Sequence, residues 1–113
     1  MSGITTHVLD TASGRPAAGV AVRLEKQKGE SWQLLGTGQT DGDGRLRELL
    51  APDYALMQGT YRITFETGAY FSRIGVKTFF PSASIIFTVE DPAQHFHVPL
   101  LLSPFGYSTY RGS

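Results

Sequence analysis

His95 and His97 stand two residues apart in "HFHVPLLL" (95–102), and on a strand that spacing puts both imidazoles on one face. Two ring nitrogens placed this way can join a third ligand, such as His7, to hold a zinc ion. The same pair also fits ordinary strand histidines with no ligand between them. Spacing alone leaves both readings open. A second candidate is "DGDGR" (41–45), which begins like a calcium loop. Such a loop needs an oxygen ligand at its fifth position and glutamate at its twelfth, where this chain has Arg45 and Pro52. The stretch therefore reads as a tight turn. "GTGQTD" (36–41) lacks the third glycine of a dinucleotide fingerprint, and the chain has no P-loop, G-x-S-x-G or H-E-x-x-H. The last candidate is the chain end, Tyr110-Arg111-Gly112-Ser113, which is strand-like, aromatic and charged. Chain ends fray unless something holds them, so the residues alone leave two readings open, an incidental end or a terminus with a task.

These residues need strands to position them, and strand signals dominate. In "ITTHVLD" (4–10), Ile4, Thr6 and Val8 alternate with Thr5, His7 and Leu9, so a core that takes Ile4 and Val8 turns His7 outward. "VAVRLEKQ" (20–27) alternates Val20, Val22 and Leu24 with Ala21, Arg23 and Glu25. "SWQLLGTGQT" (31–40) is the next strand, and "TYRITFET" (60–67) turns Tyr61, Ile63 and Phe65 inward. "SIIFTVED" (84–91), "HFHVPLLL" (95–102) and "GYSTYRG" (106–112) complete the series, with one short helix at "GAYFSRIG" (68–75). Short strands between Gly, Pro and Asp turns predict an antiparallel sandwich or barrel. On 95–102, Phe96, Val98, Leu100 and Leu102 form one face, while His95, His97 and Pro99 form the other. On the last strand either Tyr110 or Arg111 faces outward. Residues 96–110 carry apolar or aromatic groups on both faces, more than one solvated sandwich hides, and such a surplus marks an interface or groove.

Composition narrows the function classes. At 113 residues the chain predicts one domain, 1–113, with a single core. Ten basic residues balance ten acidic ones, which removes the electrostatic argument for nucleic acid or an anionic membrane. With no cysteine there is no disulfide, thiol nucleophile or Cys-based zinc site. No run approaches the roughly 18 apolar residues of a membrane span. "MSGITTHVLD" lacks the basic and apolar regions of a signal peptide, so the expected compartment is the cytoplasm.

Four stretches together carry a resemblance: "THVLDTASGRPAAGVAV" (6–22), "TDGDGR" (40–45), "YRITFETGAYF" (61–71) and "HFHVPLLLSPFGYSTYRGS" (95–113). In this order and spacing they resemble the transthyretin-like proteins, and within them the 5-hydroxyisourate hydrolases of purine degradation. The terminal Tyr-Arg-Gly-Ser separates the hydrolases from true transthyretins. The one departure is Phe96, where tyrosine is common.

The resemblance implies an all-β, transthyretin-like sandwich of two four-stranded antiparallel sheets with one short helix. It implies a homotetramer, a dimer of dimers, with active sites in the channel between dimers. The residues it carries over are His7, Arg45, His97, Tyr110, Arg111, Gly112 and Ser113, with His7, Arg45, His97 and Ser113 catalytic. His7, Arg45, Tyr110, Arg111 and Gly112 would bind the substrate. The implied reaction opens the N1–C6 cyclic amide of 5-hydroxyisourate to give 2-oxo-4-hydroxy-4-carboxy-5-ureidoimidazoline, without metal or organic cofactor. In this reading His7 and His97 share the proton transfers, Ser113 helps position the water, and two guanidinium groups hold the oxygen-rich heterocycle. Two other classes stand beside it: a carrier of small hydrophobic ligands in the central channel, and a zinc site on His7, His95 and His97.

Overall fold

Period-two alternation builds both layers of the structure, a computed structural model that describes residues 3–113. Met1 and Ser2 of the expected domain lie outside the described residues. One sheet holds β1 (Ile4–Asp10), β2 (Arg15–Pro16), β5 (Arg45–Leu46), β8 (Phe96–Ser103) and β9 (Gly106–Thr109), in the order β2-β1-β8-β9 with β5 also paired to β1. The other holds β3 (Ala21–Lys28), β4 (Ser31–Gln39), β6 (Gly59–Phe65) and β7 (Ala83–Val89), in the order β4-β3-β6-β7. A short helix α1 (Thr67–Arg73) buries Tyr70 and Phe71.

Every inward set expected from alternation is buried: Ile4, Thr6 and Val8; Val20, Val22 and Leu24; Tyr61, Ile63 and Phe65; and Phe96, Val98, Leu100 and Leu102. Removing these side chains from water is the main stabilising term, about 1.5–3 kcal/mol for each fully buried aliphatic or aromatic group. Asp10 is buried in the same layer, and both of its oxygens accept hydrogen bonds. Oδ1 accepts the N–H groups of Ala12 and Ser13, and Oδ2 accepts the Tyr70 hydroxyl at 2.9 Å. This carboxylate ties the end of β1 to α1.

Three details differ from expectation. The sheet of β1 has five strands where four were expected, because the two-residue β5 also pairs with β1. The β1–β8 pair is parallel, with Thr5 beside His97, His7 beside Pro99 and Leu9 beside Leu101. Alternation reads the same in either direction, and no hairpin links strands so far apart in sequence, so the pattern carries no sign of direction. The last strand is also shorter: β9 stops at Thr109 and the chain rejoins β8 only at a bridge from Gly112 to His97. Pro99 is the cause. It has no N–H to continue the ladder beyond Leu100–Thr109, and the Thr109 hydroxyl takes its carbonyl at 2.7 Å.

Candidate active site

The outward face of the β1–β8 pair carries the polar groups. Register places Thr5 beside His97 on neighbouring strands, and the antiparallel β1–β5 pair places Arg45 opposite His7. The turn before β5 makes this delivery possible. Asp41 Oδ1 accepts the N–H groups of Asp43 and Arg45 at 2.9 and 3.0 Å, and the Arg45 contact comes first in holding the Asp41 carboxyl below its ordinary range. Gly44 follows with φ of 76°, packed so closely on β1 that a Cβ there would strike the Val8 carbonyl oxygen. His7 Nε2–H in turn donates to the Asp43 carbonyl at 3.1 Å. The turn that resembled a calcium loop is thus the support for both Arg45 and His7.

A cleft of about 190 Å³ opens on this face, lined by Thr5, Thr6, Arg45, Arg47, His95, His97 and Ser113. His97 stands at its wall. Burial first, and then electrostatic interaction with His7, Arg45 and His95, push the His97 imidazole below its ordinary value. A histidine so placed is neutral at pH 7 and able to accept a proton. Both His97 Nδ1 and His95 Nε2 are turned to one atom, Thr5 Oγ1, at 2.8 and 2.9 Å. Arg45 and Arg47 line the same cleft, Arg47 with a guanidinium nitrogen 3.9 Å from Asp41 Oδ2. Such a set can activate water, hold an oxyanion and bind an oxygen-rich ligand.

Gly112 brings the chain end to His97. Its N–H donates to the His97 carbonyl at 2.8 Å, and a Cβ built on it would lie 2.6 Å from His97 Cδ2. Glycine is needed here for space, and the approach lets Ser113 reach the cleft. Arg111 turns the other way. Its guanidinium lies 4.7 Å from the centre of the Phe96 ring and donates to Gln94 Oε1 at 2.8 Å. The structure thus gathers Arg45, His97 and Ser113 in one cleft, with His7 on the same face beside Arg45. Gly112 shapes the wall. Arg111 lines a different groove, and Tyr110 is exposed outside the cleft.

Thr5 and Arg47 also line the cleft, and neither was expected there from the sequence. Thr5 shared the outward set with His7, but nothing in a threonine signals that two histidines will converge on it. Arg47 follows Arg45 by two residues in "RLR" (45–47), just past the end of β5, and nothing separate in the sequence singled it out. The zinc reading finds no support in the geometry. Among the described residues no three His, Cys, Asp or Glu side chains are grouped as metal ligands, and the three histidines direct ring nitrogens at Thr5 and at Asp43. A larger groove of about 370 Å³ on the other sheet is walled by the Arg23–Glu66 ion pair and contains no histidine.

Two facing sheets with one short helix, and a polar cleft on the outer face of the first and eighth strands, define the transthyretin-like class of β-sandwich. The chain belongs to the HIUase/Transthyretin family, whose model matches residues 4–112. A 5-hydroxyisourate hydrolase of Caulobacter vibrioides is 50% identical over 117 residues, covering 100% of both chains. The structure of Klebsiella pneumoniae 5-hydroxyisourate hydrolase superposes with a TM-score of 0.84 at 39% identity, over 97% of this chain and 98% of that one. Sea bream transthyretin in complex with thyroxine superposes with a TM-score of 0.90 at 31% identity, over 98% and 95% of the two chains.

Proposed function

We propose that this chain hydrolyses 5-hydroxyisourate at its N1–C6 cyclic amide, giving 2-oxo-4-hydroxy-4-carboxy-5-ureidoimidazoline. The observation that carries the reading is the cleft in which neutral His97, Arg45 and Ser113 meet on the outer face of β1 and β8. His97 takes a proton from water through Nε2, the ring nitrogen left without a partner among the described residues, while the hydroxide adds to C6. The C6 carbonyl electrons move to oxygen, and the oxyanion is met by Arg45, with Arg47 beside it. The intermediate then collapses, the C6–N1 bond breaks, and N1 takes the proton from His97. One water is consumed and the imidazole is restored. His7 binds the heterocycle, and Ser113 positions the water. The scheme uses no metal or organic cofactor.

The proposal includes a homotetramer, a dimer of dimers with the clefts in the channel between dimers. Supporting it, β7 and β9 each have one unpaired edge within the chain, and Phe79, Phe105, Tyr107 and Tyr110 are exposed. Tyr110 contacts the substrate across that channel. Arg111 holds the terminal segment against Phe96 and acts on the substrate through the placement of Gly112 and Ser113. A cytoplasmic setting belongs to the same proposal, supported by a fold that needs no disulfide. The carrier reading is weaker, because guanidinium, imidazole and hydroxyl groups make a poor wall for a hydrophobic ligand.

The test is the decay of freshly generated 5-hydroxyisourate, followed by ultraviolet absorbance with and without the protein. Acceleration that survives excess chelator is the expected result. Unchanged decay overturns the proposal, and loss of activity to chelator would return the site to a metal.

A further inference from the structure

Thr5 is 6% exposed although it belongs to the outward set of β1, because His95 and His97 close over it. A hydroxyl has one proton to donate and two lone pairs with which to accept. Thr5 Oγ1 lies within hydrogen-bond distance of His97 Nδ1 and of His95 Nε2, so the two imidazoles compete for that one proton. Threonine is β-branched and stiff at χ1, which holds the oxygen between the rings before any substrate arrives.

Resting on the hydrolase reading above, we infer that Thr5 and His95 are positioning residues that fix the tautomer of His97. For Nε2 of His97 to accept a proton from water, the neutral ring must carry its hydrogen on Nδ1. That N–H donates to Thr5 Oγ1. The Thr5 hydroxyl proton is then directed to His95 Nε2, which accepts it as a neutral ring with its own hydrogen on Nδ1. His95 thereby holds the Thr5 hydroxyl in the orientation that presents a lone pair to His97. When His97 gains its second proton, the Nδ1–H bond to Thr5 persists, so the transient positive charge faces an oxygen lone pair. Without His95 the Thr5 proton is free to swing to His97 Nδ1, which moves the ring hydrogen to Nε2 and removes the base. This arrangement assigns His95 a task that neither a zinc site nor an ordinary exposed histidine would require.

The experiment uses Thr5→Val, Thr5→Ser and His95→Ala, each read in two ways. The first is the nitrogen-15 shift pattern of the His97 ring in substrate-free protein above the titration range, which reports the tautomer without any reaction. Wild type and Thr5→Ser should show hydrogen on Nδ1, whereas Thr5→Val and His95→Ala should show a mixture or hydrogen on Nε2. The second is steady-state hydrolysis of 5-hydroxyisourate. For loss of one neutral hydrogen bond the expected fall in kcat is about tenfold in Thr5→Val and His95→Ala. KM should stay near the wild-type value, and Thr5→Ser should recover most of the rate. An unchanged His97 tautomer in both Thr5→Val and His95→Ala overturns the inference, as does full kcat in both. If Thr5→Val does not fold, the exposed His95→Ala variant decides alone. Wild-type protein that shows the Nδ1–H tautomer but no hydrolysis would overturn the functional proposal and leave the bridge standing.

Discussion

At the residue scale the proposed site rests on a histidine kept neutral and a glycine kept small. Burial, with His7, Arg45 and His95 nearby, lowers the His97 value from the ordinary 6.5. The acid limb of kcat/KM should therefore fall below pH 6.5, as a pH–rate profile will show. The same shift acts on stability. The unfolded chain binds the proton more readily, so the contribution of His97 is complete above 6.5 and is lost as pH falls from there through the lower folded-state value. His97→Asn should abolish nearly all turnover with the fold retained, since the side chain is not part of the core. His95→Asn should cost much less. Gly112→Ala places a methyl 2.6 Å from His97 Cδ2 and 3.3 Å from Pro99 Cγ, so the ring must move. Displacements of that kind cost on the order of 10²-fold in rate, and kcat of the Ala variant measures it. Arg45→Lys should also lose activity, because an ammonium cannot reproduce a two-pronged contact.

At the element scale, the position of β1 decides whether these side chains meet. Its far end is held by Asp10 and the Tyr70 hydroxyl, whose value is pushed up to about 12 by burial and then by the bond to Asp10. Tyr70→Phe leaves Asp10 Oδ2 without that donor in a buried setting. The expected loss is about 1–3 kcal/mol, read from the urea midpoint, with no change in the pH–rate profile. Pro99 makes the opposite contribution at the other end of the sheet. By interrupting the β8–β9 ladder it frees residues 110 and 111 from regular pairing, and the chain uses that freedom to lay Arg111 on Phe96 before Gly112 rejoins β8. A strand continued without interruption would have kept strict alternation through the terminus.

At the scale of the whole molecule, one chain leaves aromatic surface that its own core does not use. The rings of Phe79, Phe80 and Tyr107 pack edge to face at 5.0 and 5.4 Å, beside the free edge of β9. Symmetric association would cover such a patch. Sedimentation at micromolar concentration should give a mass near four times 12.3 kDa. Tyr107→Glu should break assembly and activity together, because a charge buried without a partner is costly. A fully active monomer would remove the shared channel from the proposal.

The strands, their inward faces and the short helix were legible in the sequence because side-chain direction along one strand follows from local geometry with period two. That reasoning buried Tyr61, Ile63 and Phe65 and turned His7 and His97 outward, and the terminal motif identified the family. The pairing of strands lay beyond it. Only tertiary structure showed that β1 and β8 run parallel, setting Thr5 beside His97, since that contact joins residues distant in sequence and no local pattern encodes it. Only tertiary structure sent Arg111 away from the cleft, because its direction depends on a proline in the neighbouring strand. Alternation determines which face a side chain takes; register between distant strands determines what it meets there.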